Sequence, residues 1–168
     1  MLLKIRHEEP DDIAQIRDVN RRAFGQGQEA DIIDALRMNG AIMLSLVAIV
    51  NGEVVGHILY SPVTVGGRIE GAGLAPMAVA PEHQRRGIGS RLVEAGNEML
   101  NAAGCPFVVV LGHPDFYPRF GFGPARAQGV TCEWDVPDDV FMMVVFDGTN
   151  ELRLSGLAKY REEFSLVS

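Results

Sequence analysis

The sequence predicts an α/β fold built on a mixed, mostly antiparallel sheet, and three observations lead to that prediction. Three apolar runs between residues 42 and 80 are separated by Asn51-Gly52 and by Gly66-Gly67, a pattern typical of an antiparallel meander. A strand–helix–strand pattern follows over residues 74–111, and such a unit places its two strands in parallel. Later apolar runs add two more strands, Val130–Trp134 and Phe141–Phe146.

The N-terminal part is predicted to hold a short strand and two helices. Leu2–Arg6 has the length of an edge strand. Asp11-Asp12 supply the carboxylates that favour a helix start, and apolar residues recur at helical spacing from Ile13 onwards. A second helix is expected to end at Asn39-Gly40, because a glycine there can take the left-handed conformation that closes helices.

The strands of the meander and the parts of the parallel unit have expected bounds. The meander strands are Ile42–Val50, Val54–Val65 and Ile69–Ala80. The parallel unit consists of Leu74–Ala80, a helix over Gly87–Ala103, and Phe107–Leu111. Its last strand is an unbroken valine-rich run, which suits a strand buried on both faces and therefore parallel pairing. Beyond it, we expect a short helix over Pro114–Phe120 and a weakly alternating segment over Glu151–Leu157.

Composition restricts the class of protein. The 168 residues, 47% hydrophobic and 22% charged, fit one globular domain over residues 1–168, with a core over 1–147 and a C-terminal strand and tail over 148–168. A formal net charge of −7 argues against non-specific nucleic-acid binding, which needs a basic surface. The apolar runs are too short to cross a membrane, so no membrane association is predicted.

Cysteine and histidine usage points to a reducing compartment and no metal. The 2 cysteines give no disulfide framework, and the 4 histidines lack the spacing of metal ligands. The chain starts without the long apolar core of a signal peptide. We therefore expect a cytoplasmic protein without a bound metal.

The segment Gln84-Arg85-Arg86-Gly87-Ile88-Gly89 lies where a predicted strand leads into a helix. Its glycines let the backbone approach a ligand closely, and the first N–H groups of a helix have no intrahelical partner. Together with the helix dipole and the two arginines, they predict an anion site that suits a pyrophosphate. The alternative is an ordinary strand–helix junction with solvated arginines.

Other phosphate-binding motifs fail on inspection. The run that starts at Gly87 lacks the third glycine of a dinucleotide fingerprint, and Gly71-Ala72-Gly73 is not followed by a helix pattern. No Gly-x-x-x-x-Gly-Lys-Ser/Thr motif occurs. A Rossmann or P-loop enzyme is therefore not predicted.

Two motifs resemble the GNAT superfamily of acetyl-CoA-dependent N-acetyltransferases. Residues 84–89 match its pattern Gln/Arg-x-x-Gly-x-Gly/Ala, and Tyr117-Pro118-Arg119-Phe120-Gly121-Phe122 is similar to its Tyr-x-x-x-Gly-Phe signature. The order of predicted elements also resembles this fold up to about residue 147. Residues 74–79 and Gly112-His113-Pro114 further resemble the bacterial YhbS-like group of this superfamily.

The resemblance implies a cofactor site and a transfer reaction. Acetyl-CoA would be the acetyl donor, and its acceptor would be a primary amine of an unidentified small molecule, peptide or protein. The resemblance places the pantetheine arm along the backbone of Met77, Ala78 and Val79, and the pyrophosphate on Gln84, Arg85, Arg86, Gly87, Ile88, Gly89 and Ser90. It also implies a bulge at Pro76 that splays the two parallel strands apart. The alternative for Pro76 is an edge-strand proline with no ligand beside it.

Within the site, the resemblance assigns Tyr117 as the general acid that donates a proton to the leaving sulfur. The alternative is an aromatic ring that serves only in packing. The general base stays unassigned among Glu70, His57, His113 and Asp115. Gly112-His113-Pro114 stands where many family members have an asparagine, which puts that cofactor contact in question. A catalytically silent acyl-CoA-binding regulator is the competing function. The resemblance further implies a homodimer through the C-terminal strands.

Overall fold

The computed structural model of the chain describes residues 2–146 and 154–167, with the side chains of 166 and 167 left aside. The expected core boundary at residue 147 and the start of the segment Glu151–Leu157 lie outside the described residues. The α-helices are α1 (Ile13–Phe24), α2 (Gln28–Met38) and α3 (Ile88–Ala102). The strands are β1 (Leu3–His7), β2 (Leu44–Val50), β3 (Glu53–Val65), β4 (Ile69–Val79), β5 (Phe107–Leu111), β6 (Gly123–Pro124), β7 (Val130–Cys132), β8 (Phe141–Val145) and β9 (Gly156–Lys159).

The strands form a mixed sheet, as the sequence predicts. Hydrogen-bonded neighbours follow the order β1-β2-β3-β4-β5-β8-β6, and β9 pairs with both β3 and β7. The pairs β1–β2, β2–β3, β3–β9, β5–β8 and β6–β8 are antiparallel. The pairs β4–β5 and β7–β9 are parallel. The predicted fold class, a mostly antiparallel sheet with a central parallel pair and flanking helices, is confirmed.

The parallel pair β4–β5 is short. Its register joins Ala72 to Val108 and Gly73 to Val109, although β4 continues to Val79. On its other edge, β5 pairs over its full length with β8 in the antiparallel sense. The apolar run of β5 therefore predicted burial and one parallel neighbour correctly, while its second neighbour is antiparallel. Pro76 lies in β4 beyond Ala72 and Gly73, the two residues that pair in register with β5, so the bulge and the unpaired-edge interpretation of this proline both stay predictions.

The described residues form two compact units that share the long strands β3 and β4. The first unit comprises residues up to 60 together with 76–96 and 162–167. Its hydrophobic core joins the inner faces of α1 and α2 to β2 and β3, and it includes Ile16, Val19, Ile33, Leu36, Val47 and Leu59. Burial of these side chains supplies the main stabilising free energy of this unit.

The hairpin between β2 and β3 was predicted from two residues, and the structure confirms it. Asn51 and Gly52 have φ values of 52° and 78°. Both lie in the left-handed region that a two-residue primed turn requires, and asparagine and glycine are the residues that accept it at low cost. Asn39-Gly40 ends α2 as expected, with Gly40 at φ 64°.

A chain of buried polar groups crosses the first unit. His57 is fully buried, with its Nδ1 atom 3.1 Å from the Asn20 amide nitrogen and its Nε2 atom 2.9 Å from the Ser45 hydroxyl. Ser45 donates to Glu8, which also accepts from the Arg37 guanidinium. Because buried polar groups are costly unless paired, this chain fixes β1, β2, β3 and the two N-terminal helices against one another.

The second unit comprises residues 61–75, 97–146 and 154–161. Glycines in β4 let aromatic rings lie directly on the strand: a Cβ atom at Gly71 would meet the Phe107 ring at 2.6 Å, and one at Gly73 would meet the Tyr160 ring at 2.8 Å. Tyr160 also contacts Trp134, with ring centroids 5.1 Å apart, and its N–H donates to Glu133. The C-terminal segment is thereby packed onto this unit.

Several expected elements have different bounds or kinds. The segment predicted as a helix over Pro114–Phe120 is a 3-10 helix over Tyr117–Phe120, because Pro118 has no N–H with which to continue an α-helical ladder. The strand expected over Val130–Trp134 ends at Cys132. The strand β6 was not predicted, and β9 falls within the C-terminal strand and tail expected over 148–168, for which the sequence indicates no strand bounds. Both strands are short, and only pairing with distant strands stabilises them.

The buried histidine makes stability depend on pH. Burial lowers the pKa of His57 from 6.5 to about 4, with Glu8 opposing the shift and Arg37 adding to it. Between these values the unfolded chain binds a proton that the folded chain does not, so stability falls as pH drops through this window and is fully present above it. The free energy of unfolding should decrease by about 3 kcal/mol at most, for a shift of this size.

Urea denaturation at a series of pH values measures this effect. His57→Gln should flatten the dependence between about pH 6.5 and 4, whereas His113→Gln, which replaces an exposed histidine, should leave the slope as it is. An unchanged slope in His57→Gln would contradict the assignment.

Candidate active site

The turn that leaves β4 is anchored by backbone hydrogen bonds in the first unit. The Ala80 N–H donates to the Val55 carbonyl on β3 at 2.8 Å. A 3-10 helix over Pro81–His83 follows, in which the His83 N–H donates to the Ala80 carbonyl at 2.8 Å. The Gln84 side-chain amide then donates to the Val79 carbonyl at 3.0 Å. These bonds fix the start of the loop relative to the end of β4.

Two residues of the loop have left-handed backbone conformations. Arg85 has a φ of 65° and Gly87 a φ of 81°. Such residues, placed near a helix start, turn successive N–H groups toward one side and create a concave anion site. Glycine accepts the conformation freely, whereas an arginine pays roughly 1 kcal/mol for it. A non-glycine residue held in this strained region points to a functional constraint on the loop.

The start of α3 leaves N–H groups available to a ligand. The first bond of the helix runs from the Arg91 N–H to the Gly87 carbonyl, at 3.1 Å. The N–H groups of Ile88, Gly89 and Ser90 therefore precede the intrahelical ladder and have no partner in it. They lie at the positive end of the helix dipole, which favours an anion.

Packing under the loop sets the direction of α3. The Ile88 side chain is buried, and a Cβ atom at Gly56 on β3 would meet it at 3.1 Å. The same Cβ atom would lie 3.2 Å from the side chain of Leu92, one turn later in α3. The helix is thus seated on β3 by its apolar side chains, and Ile88 can contribute to a ligand site through its backbone only.

The surface of the loop is open and cationic. Gln84, Arg85, Arg86 and Gly87 are exposed, and no heavy atom lies within 4 Å of the position that a Cβ of Gly87 would take. Within the described parts of the chain, neither arginine forms an ion pair. The predicted pyrophosphate corner is therefore not filled by side chains, and its two cations are available.

The end of β4 alternates as a half-buried strand. Ala78 is buried, and Met77 and Val79 on the opposite face are partly exposed. The first unit thus brings together the ten residues predicted to bind the cofactor, in one continuous stretch from β4 to the first turn of α3.

Tyr117 belongs to the second unit, where it is buried with an exposed fraction of 6%. Its ring contacts Phe116 and Phe122 edge to face, with centroids 5.0 and 5.6 Å away. Burial raises the pKa of Tyr117 to about 12. The phenol therefore stays protonated at physiological pH and can donate a hydrogen bond or a proton.

The candidate bases differ sharply in exposure. Glu70, His113 and Asp115 are exposed, whereas His57 is completely buried. A histidine whose two ring nitrogens are both held by Asn20 and Ser45 cannot remove a proton from a bound amine directly.

Sequence reasoning missed two features of the site. The left-handed conformation of Arg85 has no signal in its residue type, because it results from how the turn is anchored. Gly112 carries no motif of its own, yet a Cβ atom there would lie 2.9 Å from Cδ2 of Tyr117 and closer still to Cε2. The available signal was the density of aromatic residues, four within residues 116–122, which indicates that the Tyr117 ring is closely packed.

Comparisons with known proteins identify the family. A model of the acetyltransferase (GNAT) domain matches residues 4–125. The N-acetyltransferase YhbS of Escherichia coli K12 is 36% identical over 165 residues, covering 96% of this chain and 98% of that protein. The N-acetyltransferase YjhQ of the same strain is 41% identical over 134 residues, covering 76% of this chain and 74% of that protein. The chain belongs to the GNAT family and is an acyltransferase of that family.

Solved structures of relatives agree with this assignment. The crystal structure of Escherichia coli YhbS in complex with CoA superposes with a TM-score of 0.92 at 34% identity, covering 97% of this chain and 92% of that one. A GNAT family acetyltransferase from Brucella melitensis in complex with acetyl-CoA gives a TM-score of 0.82 at 36% identity, covering 97% and 98%.

The described residues lack two features, a membrane-spanning helix and a cluster of metal ligands. They contain no helix with the length and apolar character to cross a membrane. They also contain no group of three or more acidic, histidine or cysteine side chains arranged to hold a metal ion.

The left-handed glycine of the loop should be sensitive to a single added methyl group. Gly87→Ala places a Cβ in open space but at a φ of 81°, so we expect a loss of about 1 kcal/mol in the free energy of unfolding from backbone strain alone. Gly123→Ala is the matched control, because that glycine also faces open space and lacks a positive φ. Urea titration of both variants without ligand measures the difference, and equal stability would contradict the strained loop.

Proposed function

We propose that the protein transfers an acetyl group from acetyl-CoA to a primary amine of an unidentified small molecule, peptide or protein, by direct attack within a ternary complex. The observation that carries this proposal is the loop before α3. It presents helix N–H groups without an intrahelical partner, and two exposed arginines that form no ion pair with any described residue. The acetyl-CoA and CoA complexes of the two structural relatives support the same ligand here.

The loop would hold the pyrophosphate of the cofactor. The N–H groups of residues 87–90 donate to its oxygens, and Arg85 and Arg86 supply compensating positive charge. The Gln84 side chain keeps the loop on β4 through the Val79 carbonyl, so the site is formed before the ligand arrives. Preorganised donors lose little entropy on binding.

The end of β4 would align the pantetheine arm and the acetyl carbonyl. Neighbouring N–H groups along a strand point to opposite edges, and the Ala80 N–H is directed to β3. The Val79 N–H is accordingly directed away from β3, where it can donate to the negative charge that develops on the carbonyl oxygen. Met77 and Ala78 add the strand-like backbone pairing along the arm.

Tyr117 would stabilise the departing sulfur. In the reaction the amine nitrogen bonds to the carbonyl carbon, the carbon–sulfur bond breaks with its electron pair leaving on sulfur as a thiolate, and the nitrogen loses its proton to the general base. A phenol with a pKa of about 12 is a weaker acid than a thiol of about 8.5. Tyr117 therefore donates a hydrogen bond to the thiolate rather than surrendering its proton completely.

The amine must be neutral to attack, and exposed candidates for its base are Glu70, His113 and Asp115.

The competing function is an acyl-CoA-binding regulator without catalysis. The two differ in one measurement, the release of CoA thiol over a panel of amines. A homodimer, a single domain over residues 1–168 and a cytoplasmic location also remain predictions, and mass photometry tests the first of them.

Acetyl-CoA should raise the melting temperature of the protein, because a ligand that binds the native state stabilises it. The double variant Arg85→Ala/Arg86→Ala should weaken binding roughly tenfold or more through loss of charge-assisted contacts. Arg68→Ala replaces an exposed arginine outside the loop and should bind as the wild type does. No melting shift of the wild type at millimolar acetyl-CoA would contradict both the enzyme and the regulator.

Removal of the phenol hydroxyl should reduce turnover without loss of packing. Tyr117→Phe should lower kcat by about 100-fold or more, with the KM for acetyl-CoA within a factor of about two. Tyr60→Phe removes the hydroxyl of another fully buried tyrosine and should retain kcat. Since the pKa of Tyr117 is about 12, kcat of the wild type should not fall as pH rises from about 8 to 10. Full turnover in Tyr117→Phe would exclude the donor role.

A further inference from the structure

We propose that Gly112 is the positioning residue for Tyr117, and that the missing side chain at this position sets where the phenol hydroxyl lies. This inference rests on the proposed function for the role of the hydroxyl. Its structural part concerns the ring and stands on the geometry of the second unit. Gly112 follows the last residue of β5, five positions before the tyrosine.

The ring occupies the space into which a side chain at residue 112 would extend. An ideal Cβ on Gly112 would lie 2.9 Å from Cδ2 and 3.3 Å from Cζ of Tyr117, and closer still to Cε2. These atoms form the ring edge that leads to the hydroxyl. No side chain larger than hydrogen fits while the ring keeps this place.

The backbone of Gly112 is not free to withdraw. Its N–H donates to the Val140 carbonyl at 3.0 Å, which ties it to the start of β8. Leu111, just before it, is paired in register with Phe141. The turn that returns the chain is equally defined, since the Phe116 N–H donates to the His113 carbonyl at 3.1 Å.

On its other sides the ring is enclosed by Phe116 and Phe122. The phenol is therefore held between a bare backbone and two aromatic edges. Packing against these groups holds the ring, and Gly112 is the one of the three that has no side chain.

Gly112 does not have a positive φ, so an alanine there does not meet the strain of the left-handed region. The effect of Gly112→Ala must then arise from the displaced ring. Gly123→Ala is the matched control in the same unit, because that glycine also lacks a positive φ and has no heavy atom within 4 Å of its Cβ position.

The first test detects the position of the Tyr117 ring by NMR. Spectra of protein labelled with 13C in the ring of its 3 tyrosines are assigned with Tyr117→Phe. Gly112→Ala should shift the Tyr117 resonance and leave those of Tyr60 and Tyr160 in place, and Gly123→Ala should shift none. An unmoved Tyr117 resonance in Gly112→Ala would overturn the proposal whether or not the enzyme is active.

The second test reads catalysis. Gly112→Ala should lower kcat by about ten- to a hundredfold with the KM for acetyl-CoA unchanged, as expected for a misplacement of about 1 Å. In the Tyr117→Phe background the same substitution should cost no further kcat, because the group through which it acts is gone. An equal further loss in that background would overturn the proposal. Full turnover of Tyr117→Phe would instead refute the proposed donor role and leave the ring measurement to decide the positioning.

A third variant keeps the proposal testable if Gly112→Ala does not fold. Gly112→Ala/Phe122→Leu opens space opposite the added methyl group, so it should fold with the ring displaced and kcat still reduced relative to Phe122→Leu alone. Complete recovery of kcat in the double variant would contradict the positioning role.

Discussion

The left-handed turn between β4 and α3 is the constraint on which the rest of the site depends. Arg85 and Gly87 reverse the chain within a few residues, so that the helix begins with its N–H groups free and facing outward. Without these two left-handed residues, the chain would not reverse at this point, and the N–H donors of the helix start would not converge on one side. The free energy that strains Arg85 comes from the anchored residues on either side, Ala80 bound to β3 and Ile88 buried against Gly56.

The first unit makes that turn rigid through two different kinds of contact. Apolar packing of α1, α2 and α3 on β2 and β3 supplies stability, while the buried chain from Asn20 through His57 to Arg37 supplies a fixed register. Buried hydrogen bonds tolerate less displacement than apolar contacts do, because an unpaired polar group in the interior is costly. Acidification therefore acts on the scaffold that carries the predicted cofactor-binding residues.

The second unit holds Tyr117 by a different principle. A glycine, two aromatic rings and a short turn surround the phenol ring. Burial also raises the pKa of Tyr117. The same environment thus keeps the hydroxyl protonated, as its proposed role of hydrogen-bond donor to the leaving sulfur requires.

The sequence by itself determined the order of the α-helices and of most strands and the two turns of the meander, and it predicted ten cofactor-binding residues. These features are local: Asn51-Gly52 selects its turn from residue conformations, and Gly87 marks a helix start within a few positions of the chain. Apolar periodicity likewise identifies α1 and β5 without knowledge of their partners. The resemblance to the family implied the roles of the residues, which local patterns alone left open.

Only the tertiary structure decided the strand β6, the bounds and partners of β9, the left-handed Arg85, the burial of His57 and the close approach of the Tyr117 ring to Gly112. Each depends on groups that are distant in sequence: β9 on β3 and β7, His57 on Asn20 and Ser45, and Gly112 on where the turn places the Tyr117 ring. A residue's type states what it can do, but the space and partners around it are set by packing, which a single position in the sequence does not encode.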